Sequence, residues 1–180
     1  MRTFVAIELS NDAVIDSIKN LQNELCLEAK PVATENLHFT LQFLGEVSEE
    51  KLEKISSALE KIEFSSFNLT LKTIGAFPNP KNPKVVWIGT DKIGGDCLVE
   101  LSKKVGSVLE PLDLIPDKPF KPHITIFRIK KREEGIRRKL EERKNSEFGI
   151  QKITSIKLKK SQLTPEGPIY SDLVEVKGAC

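Results

Sequence analysis

The alternation of strand-like and helix-like segments most strongly constrains how this chain of 180 residues can fold. Its hydrophobic pattern predicts strand, helix, strand, helix and two strands, followed by helix, strand, helix and two more strands. The predicted strands cover 2–9, 37–44, 67–74, 85–89, 120–129, 150–163 and 168–176, and the helices follow Asn11 or Ser10, follow Ser48, and cover 93–110 and 133–144. The two halves contribute similar sets, and no Ser/Gly-rich linker divides them. We therefore predict an α+β fold of two pseudo-symmetric lobes joined in a single domain over 1–180.

Composition narrows the class of protein. With 28 basic and 26 acidic side chains, the formal charge is only +2. No apolar run approaches the roughly 20 residues that span a bilayer, and Glu8 interrupts any signal-peptide core. Cys26, Cys97 and Cys180 form no CxxC pair, which indicates reduced thiols in a cytoplasmic protein and neither a disulfide framework nor a zinc site. Abundant Lys, Arg and Glu with a single Met is typical of thermophiles.

Both histidines of the chain begin the same four-residue pattern, 85 residues apart. Each is followed by an apolar residue, a threonine and a second apolar residue, in His38-Phe39-Thr40-Leu41 and His123-Ile124-Thr125-Ile126. Because side chains alternate across a strand, His and Thr should share one face and the apolar pair the other. A lone strand histidine is usually structural, but two copies of one pattern favour a shared functional site supplied by both lobes.

Two imidazoles that face one cleft are suited to general acid-base chemistry near neutral pH. One neutral ring can accept a proton from a nucleophile while the other, protonated, donates to a leaving group. The hydroxyls of Thr40 and Thr125 can hydrogen-bond to an oxyanion between the rings. No acidic residue completes a Ser-His-Asp set, there is no P-loop, and two histidines provide too few metal ligands. We therefore expect catalysis without a metal or other cofactor.

Basic residues around the second motif indicate an anionic substrate. Six lie between positions 118 and 132 with no acidic residue among them: Lys118, Lys121, Arg128, Lys130, Lys131 and Arg132. A solvated basic edge is the alternative interpretation. Arg128 follows His123 by five residues, so a regular strand would place it on the opposite face. A bulge or the end of the strand near Ile126 is needed to turn it toward a phosphate.

These motifs resemble the two-histidine phosphoesterase superfamily, and in detail its RNA 2′,3′-cyclic phosphodiesterase branch, also called the 2′-5′ RNA ligase family. The resemblance runs nearly end to end. It rests on MRTFVAI (1–7), ENLHFTLQFLGE (35–46), FPNP (77–80), VVWIG (85–89), FKPHITI (120–126) with Arg128, and GPIY (167–170). It implies two lobes, each with an antiparallel sheet and packed helices, and an active-site cleft between them.

The resemblance also implies hydrolysis of 2′,3′-cyclic phosphates at RNA 3′ ends to 2′-phosphomonoesters. We further expect the protein to act as a monomer and tRNA-derived ends to be among its substrates. By analogy His38 is the proton donor and His123 the proton acceptor, although the sequence alone does not decide which is which. Thr40, Thr125 and Arg128 are expected to contact the phosphate. Tyr170 is expected among the substrate-binding residues, whereas we expect Phe43 and Phe77 in the hydrophobic core.

Two other functions are compatible with the same residues. Ligation of a 2′,3′-cyclic phosphate to a 5′-hydroxyl would use the same groups with a hydroxyl in place of water, and in dilute solution water should prevail. A non-catalytic RNA-end binder would tolerate the loss of one histidine, so the presence of both His-Thr pairs argues against it. The low net charge predicts recognition of a terminal nucleotide with modest dependence on salt.

Overall fold

A computed structural model describes residues 1–180 and contains eight strands and four α-helices, with two short 3-10 turns. The strands are β1 (Arg2–Glu8), β2 (His38–Glu46), β3 (Phe67–Phe77), β4 (Val85–Thr90), β5 (Ile124–Arg128), β6 (Glu147–Ile153), β7 (Ser155–Thr164) and β8 (Gly167–Lys177). The helices are α1 (Asp12–Leu25), α2 (Glu49–Leu59), α3 (Lys92–Leu109) and α4 (Ile136–Glu142). No helix combines the length and apolarity needed to cross a membrane.

All eight strands belong to one sheet in the order β6-β3-β4-β5-β2-β1-β7-β8, and every neighbouring pair is antiparallel. Four strands lie on each side of the β5–β2 boundary and correspond to the two expected sheets. That boundary has a single registered pair, Phe39 with Ile124, which we call the seam. The α+β class and the antiparallel pairing are therefore confirmed, and the seam joins both sets of strands into one sheet.

The helices form where the sequence supplies caps and an apolar stripe. Asn11 caps α1 by accepting hydrogen bonds from two backbone N–H groups, and Ser48 and Asp91 cap α2 and α3 in the same way. The apolar stripe of α1 is buried at Val14, Ile18, Leu21 and Leu25. Between helices and sheet, 36 buried hydrophobic residues form one cluster. One face of the sheet thus packs against the helices in the core, and the opposite face is available for a site.

The predicted strand over 150–163 is wrong, because two strands occupy this stretch. Strand β6 pairs with β3 at one edge of the sheet, whereas β7 pairs with β1 in the other half. Only Thr154 separates them, so the sheet must curl for the end of β6 to reach the start of β7. Neither Gly nor Pro marks this junction, and strand-like residues continue across it. Nothing in the local pattern reveals that the chain changes partners there.

The bounds of two other predicted elements change near proline and glycine. Strand β5 starts at Ile124 rather than at residue 120, because Pro122 has no N–H to donate to a neighbouring strand. His123 consequently precedes its strand, whereas the sequence analysis placed it inside. Helix α4 starts only after Gly135, which has a left-handed φ of 77°, so the predicted helix over 133–144 is shorter.

Candidate active site

Both His-Thr motifs open into one cavity of about 1610 Å³, which we call the cleft. The cleft is lined by all six predicted site residues: His38, Thr40, His123, Thr125, Arg128 and Tyr170. The apolar partners Phe39, Leu41, Ile124 and Ile126 are all buried in the core cluster. The expected alternation is therefore confirmed in both copies, with imidazole and hydroxyl toward the cleft and hydrocarbon toward the core.

The seam determines how the two motifs face each other. Phe39 and Ile124, the first apolar residues of the two motifs, are its paired residues and both are 0% exposed. An antiparallel register with this pair places His38 opposite Thr125 and Thr40 opposite His123. Each imidazole thus lies across from the hydroxyl of the other motif. The two apolar side chains of the seam are the anchor on which the spacing of the histidines depends.

The ring of His38 is oriented by two hydrogen bonds. Nδ1 lies 2.7 Å from the carbonyl oxygen of Asn36, and Nε2 lies 2.9 Å from Oγ1 of Thr40. Because a carbonyl oxygen can only accept, Nδ1 must carry the hydrogen, which leaves Nε2 as the atom that exchanges protons. In the neutral ring Nε2 accepts from the Thr40 hydroxyl. The same nitrogen can receive a proton and then donate it.

His123 has the matching arrangement on the opposite side of the seam. Its Nδ1 lies 2.6 Å from the carbonyl oxygen of Lys121, again two residues earlier in the chain. Nδ1 is therefore the protonated nitrogen here too, and Nε2 is free for chemistry. The ring packs edge-on against Phe77 at 5.0 Å and lies 6.5 Å from Trp87. Two copies of one local geometry thus present two imidazoles with the same reactive atom.

Burial lowers the pKa of both histidines from the ordinary value of about 6.5. The charges of Lys159 and Arg128 lower the pKa of His38 further, while its bond to Asn36 and the charge of Glu8 oppose them. For His123 the bond to Lys121 opposes burial, and the charges of Arg128 and Lys121 add to it. Both rings are therefore neutral at pH 7 when the cleft holds no anion. A bound phosphate favours the protonated form of a neighbouring imidazole.

Arg128 reaches the cleft because strand β5 contains a bulge. Trp87 pairs with Thr125, and Val86, the residue before Trp87 in β4, pairs with Phe127. Ile126 is therefore left as an extra residue in β5. The bulge reverses the alternation beyond it, so Arg128 lies on the side of His123 and Thr125. Of the two expected ways to turn Arg128, a bulge or the end of the strand near Ile126, the structure contains the bulge. Since the Arg128 charge lowers the pKa of both histidines, the guanidinium acts on both sides of the cleft.

Strand β2 carries a bulge at the corresponding position of the first motif. Val5 pairs with Gln42 and Ala6 with Thr40, so Leu41 is the extra residue. Phe43 therefore lies where Arg128 lies in the second copy, five residues after its histidine. Its side chain is 66% exposed and lines the cleft, so the prediction that Phe43 belongs to the core is wrong. The same prediction for Phe77 is also wrong, because that ring is half-buried and borders the cleft.

An aromatic group that the sequence analysis missed supports His38. The ring of Phe4, 3% exposed, lies 5.2 Å from His38, 5.0 Å from Tyr170 and 6.2 Å from Phe43. Tyr170 in turn lies 5.5 Å from His38, with its ring perpendicular to the imidazole. Phe4 belongs to a strand whose alternation was recognised, but its face could not be assigned until the β1–β2 register was known.

An ion network, also missed, lies beside His38 on the neighbouring strands. Glu8 pairs with His38 in the β1–β2 register and contacts Lys159 and Lys157. Asp172 on β8 binds both lysines, at 2.7 and 2.9 Å. Burial raises the pKa of Glu8, but the hydrogen bonds from the two lysines outweigh it and the net pKa is lowered. No sequence signal links these four residues, since three strands bring them together.

No group of three or more His, Cys, Asp or Glu side chains is placed to hold a metal ion. What the cleft offers instead is two Nε2 atoms, two hydroxyls and one guanidinium. This set is chemically suited to moving protons at neutral pH and to binding an anion, and this definition of the site fits a phosphate ester as ligand.

Comparison with known proteins agrees with this definition. The LigT like Phosphoesterase family model matches the chain twice, over residues 7–87 and 90–170, once for each motif. The RNA 2′,3′-cyclic phosphodiesterase of Archaeoglobus fulgidus is 40% identical over 96% of this chain and 98% of its own. That of Methanocaldococcus jannaschii is 36% identical over 97% and 99%. The chain belongs to the LigT-like phosphoesterase family.

Solved structures show the same fold. TT0787 of Thermus thermophilus superposes with a TM-score of 0.83 at 29% identity, covering 98% of this chain and 97% of that chain. Escherichia coli LigT in complex with 3′-AMP has a TM-score of 0.77 at 27% identity, covering 98% and 96%. The match extends over the whole sheet, including the strands of both motifs.

Proposed function

We propose that this enzyme hydrolyses 2′,3′-cyclic phosphates of RNA ends and nucleosides to 2′-phosphomonoesters, without a metal, by acid-base catalysis from His38 and His123. The seam is the observation that carries the proposal, since its register places one His-Thr pair on each side of one cleft. Support comes from the relatives named RNA 2′,3′-cyclic phosphodiesterase and from the 3′-AMP held by Escherichia coli LigT.

In the proposed reaction His123 acts as the base. Its neutral Nε2 takes a proton from water as the water oxygen forms a bond to phosphorus. The bond between phosphorus and the ribose 3′ oxygen breaks, and His38 donates the proton on its Nε2 to that oxygen. The product keeps the phosphate on the 2′ oxygen. The reaction leaves His123 protonated and His38 neutral, and exchange with solvent restores the starting states.

Thr40, Thr125 and Arg128 are proposed to bind the non-bridging phosphate oxygens. The threonine hydroxyls lie beside the imidazoles in each motif, and a guanidinium can bind two phosphate oxygens at once. Their hydrogen bonds strengthen as negative charge accumulates on these oxygens in the transition state. Tyr170 is proposed to bound the ribose, because its ring stands next to His38, the donor to the ribose oxygen.

The proposed working unit is one chain, folded as a single two-lobed domain over 1–180 and acting as a monomer. Both histidines come from the same chain, so the site is complete without a partner. We further propose a cytoplasmic location, since all three cysteines are free and two of them, Cys26 and Cys180, are exposed. Fragments of tRNA that end in a 2′,3′-cyclic phosphate are among the proposed substrates.

Turnover of a nucleoside 2′,3′-cyclic phosphate in the presence of EDTA tests the function. The wild type should produce the 2′-phosphate, and His38→Ala and His123→Ala should each reduce kcat by about 10²- to 10⁴-fold. Lys92→Ala, exposed on α3 outside the cleft, serves as the control and should keep full activity. Near wild-type turnover by either histidine variant would exclude the paired assignment. Binding of RNA ends without turnover by the wild type would favour an RNA-end binder.

A substrate with sulfur in place of the bridging 3′ oxygen separates the two roles. A thiolate leaves without protonation, so the donor is no longer needed. The loss of kcat caused by His38→Ala should therefore be smaller on this substrate, whereas the loss of kcat caused by His123→Ala should be unchanged. The opposite result would exchange the two assignments. Adding an RNA with a 5′-hydroxyl to the same assay measures ligation, because a 2′-5′ product would then appear beside the 2′-phosphate.

A further inference from the structure

We propose that Glu8 and Lys159 are positioning residues for the reaction, which act through His38 alone and balance the charge beside this imidazole. The two residues belong to a cluster of Glu8, Lys157, Lys159 and Asp172, which we call the ion quartet. Its two carboxylates and two ammonium groups carry no net charge together. The inference rests on the proposed function, because it concerns the protonation of the proposed donor.

Lys159 is a buried cation that both carboxylates of the quartet hold in place. Its side chain is 6% exposed, and Nζ contacts Glu8 and lies 2.9 Å from Asp172. Lys157 joins the same two carboxylates, at 2.9 Å from Glu8 and 2.7 Å from Asp172. Each carboxylate thus contacts both ammonium groups. Removal of any one charge therefore leaves an unbalanced charge in a partly buried place.

The carboxylates of the quartet stay ionised at neutral pH. Burial raises the pKa of Glu8 and of Asp172, but the hydrogen bonds from the two lysines outweigh burial, and both pKa values are lowered. On the other side of the same contacts, the hydrogen bond to Asp172 raises the pKa of Lys157. Two negative groups and their positive partners are therefore present under the conditions in which the enzyme works.

The register of strand β1 brings the quartet next to His38. Glu8 pairs directly with His38, and directly opposed residues of an antiparallel pair present their side chains on the same face with Cβ atoms about 5 Å apart. Lys159 pairs with Phe4, whose ring lies 5.2 Å from His38. Charges of both signs therefore stand on the strands beside this imidazole.

The two signs act on His38 in opposition. Burial lowers its pKa, the charge of Lys159 lowers it further, and the charge of Glu8 raises it. Neither charge is among those that act on His123. The remaining titratable groups on the elements around the ring are Glu35 before β2, His123 and Arg128 across the seam, Lys157 on β7, and Tyr170 and Asp172 on β8.

The second motif has no counterpart of the quartet. Continuing the β4–β5 register by one residue places Gly89 across from His123, at the position that Glu8 holds in the first copy. A glycine carries no charge, and the His123 ring packs against the aromatic side chains of Phe77 and Trp87. The two imidazoles have the same reactive atom but different surroundings. The quartet therefore gives the proposed donor a control that the proposed base lacks.

Changing either sign should move only the limb of the pH profile that belongs to His38. The donor must be protonated, so activity is lost as pH rises through the pKa of His38, which makes this the alkaline limb. Glu8→Gln leaves a net positive quartet and should move that limb to lower pH, whereas Lys159→Met should move it to higher pH. On this limb, kcat/KM relative to each variant's own maximum should change about 2- to 10-fold, down for Glu8→Gln and up for Lys159→Met. The acid limb, which belongs to His123, should stay in place.

An NMR titration of the free protein measures the same effect without substrate. The chain has two histidines, so two imidazole signals are expected, and His123→Ala assigns them. The midpoint of the His38 signal should fall in Glu8→Gln and rise in Lys159→Met. The midpoint of the His123 signal should be the same in both variants as in the wild type.

Three further variants separate charge from folding. Lys159→Arg keeps the buried charge and should keep the wild-type midpoint of His38. Asp172→Asn removes a quartet carboxylate whose side chain is 45% exposed, so it disturbs the packing less than a change at Lys159, and it should lower the midpoint of His38. Glu147→Gln removes the carboxylate of an ion pair between β3 and β6, outside the quartet, and should move neither signal.

Titration and turnover distinguish failure of this proposal from failure of the proposed function. If no quartet variant moves the His38 midpoint, the quartet only stabilises the sheet and the proposal is wrong. If both histidine signals move together, the quartet acts on the whole cleft and the proposal is also wrong. If the midpoint moves as expected but the wild type hydrolyses no cyclic phosphate, the proposed function fails, whereas the charge balance beside His38 stands.

Discussion

At the scale of single residues, the protonation state of the two imidazoles depends on their burial and on a few charged neighbours. In both rings Nδ1 donates to a backbone carbonyl, so only Nε2 changes its protonation during the reaction. The proposed mechanism needs His123 neutral and His38 protonated, which predicts a bell-shaped pH dependence of kcat/KM with one limb from each. Because burial lowers the pKa of both histidines, the maximum of this pH profile should lie at a lower pH than free imidazoles would give.

Replacing Arg128 with Gln should move this bell to higher pH. The Arg128 charge lowers the pKa of both histidines, so its removal raises both pKa values and shifts both limbs in the same direction. The other charges near the rings, those of Lys159, Glu8 and Lys121, remain in place. Loss of the phosphate contact should also reduce kcat/KM about 10- to 100-fold. The measurement is kcat/KM between pH 4 and 9.

The control for this prediction is Arg132→Gln, which removes an exposed positive charge near the cleft but outside its lining. It should leave the position of the bell and the value of kcat/KM unchanged. A profile of Arg128→Gln that drops in height without shifting would show that the guanidinium binds phosphate but does not act on the imidazoles. A profile unchanged in height and position would remove Arg128 from the site.

At the scale of secondary-structure elements, the sequence predicted periodic features well and interruptions poorly. The caps at Asn11 and Ser48 and the His-Thr alternation follow from local rules and are present in the structure. A bulge or strand end near Ile126 was expected, because Arg128 otherwise lies on the wrong face, but nothing suggested the bulge at Leu41. Bulges and partner changes such as the one at Thr154 are decided by pairing with distant strands, which a local pattern does not contain.

A glycine on β3 illustrates how one element supports another. A Cβ at Gly75 would lie 2.2 Å from the Trp87 ring, which packs on Phe77 and borders His123. Gly75→Ala should therefore push this ring aside, destabilise the fold by about 1–3 kcal/mol and lower kcat through displacement of His123. Urea unfolding and steady-state kinetics at one pH measure both effects.

A second glycine provides the matched control for this substitution. Gly106 lies inside helix α3, and apart from the adjacent backbone of its own helix no atom lies within 4 Å of the position where a Cβ would be. Gly106→Ala should stabilise the protein by about 0.5–1 kcal/mol, because alanine loses less backbone freedom in a helix, and should not change kcat. If Gly75→Ala were as stable and active as wild type, Trp87 would have no part in positioning His123.

At the scale of the whole molecule, the chain crosses twice between the two sets of strands that border the cleft, from β2 to β3 and from β6 to β7. Helix α1 follows β1 in the chain but packs on β6 in the other half, and α3 contacts both β2 and β3. Gln22 on α1 donates to the carbonyl oxygens of Val32 and Ile126, which fixes the segment before β2 against β5. The sequence predicted two similar halves. It could not predict that one half-sheet is discontinuous in sequence, since β1 and β2 join β7 and β8 there, while the consecutive strands β3 to β6 form the other.

The charge of the whole molecule predicts how tightly it holds RNA. The cleft is lined by six basic residues, Lys30, Lys118, Lys121, Arg128, Lys130 and Lys131, and by four acidic ones, Glu28, Glu35, Asp117 and Glu166. With a net charge of +2 and this mixture of signs in the cleft, electrostatic attraction for a long RNA backbone should be modest. We expect the protein to hold the terminal nucleotide and few phosphates beyond it.

The dependence of kcat/KM on salt should therefore be shallow and independent of RNA length. For single strands the slope of log K against log[salt] is about −0.7 for each phosphate neutralised, so one or two contacts give a slope no steeper than about −1.5. A dinucleotide and a dodecamer, each ending in a 2′,3′-cyclic phosphate, should give similar slopes between about 50 and 500 mM KCl. A slope that steepens with length would show that the strand is followed along its backbone. In that case the mixed lining of the cleft would act as the entrance to a longer binding surface, and the terminal nucleotide would not be the main determinant of affinity.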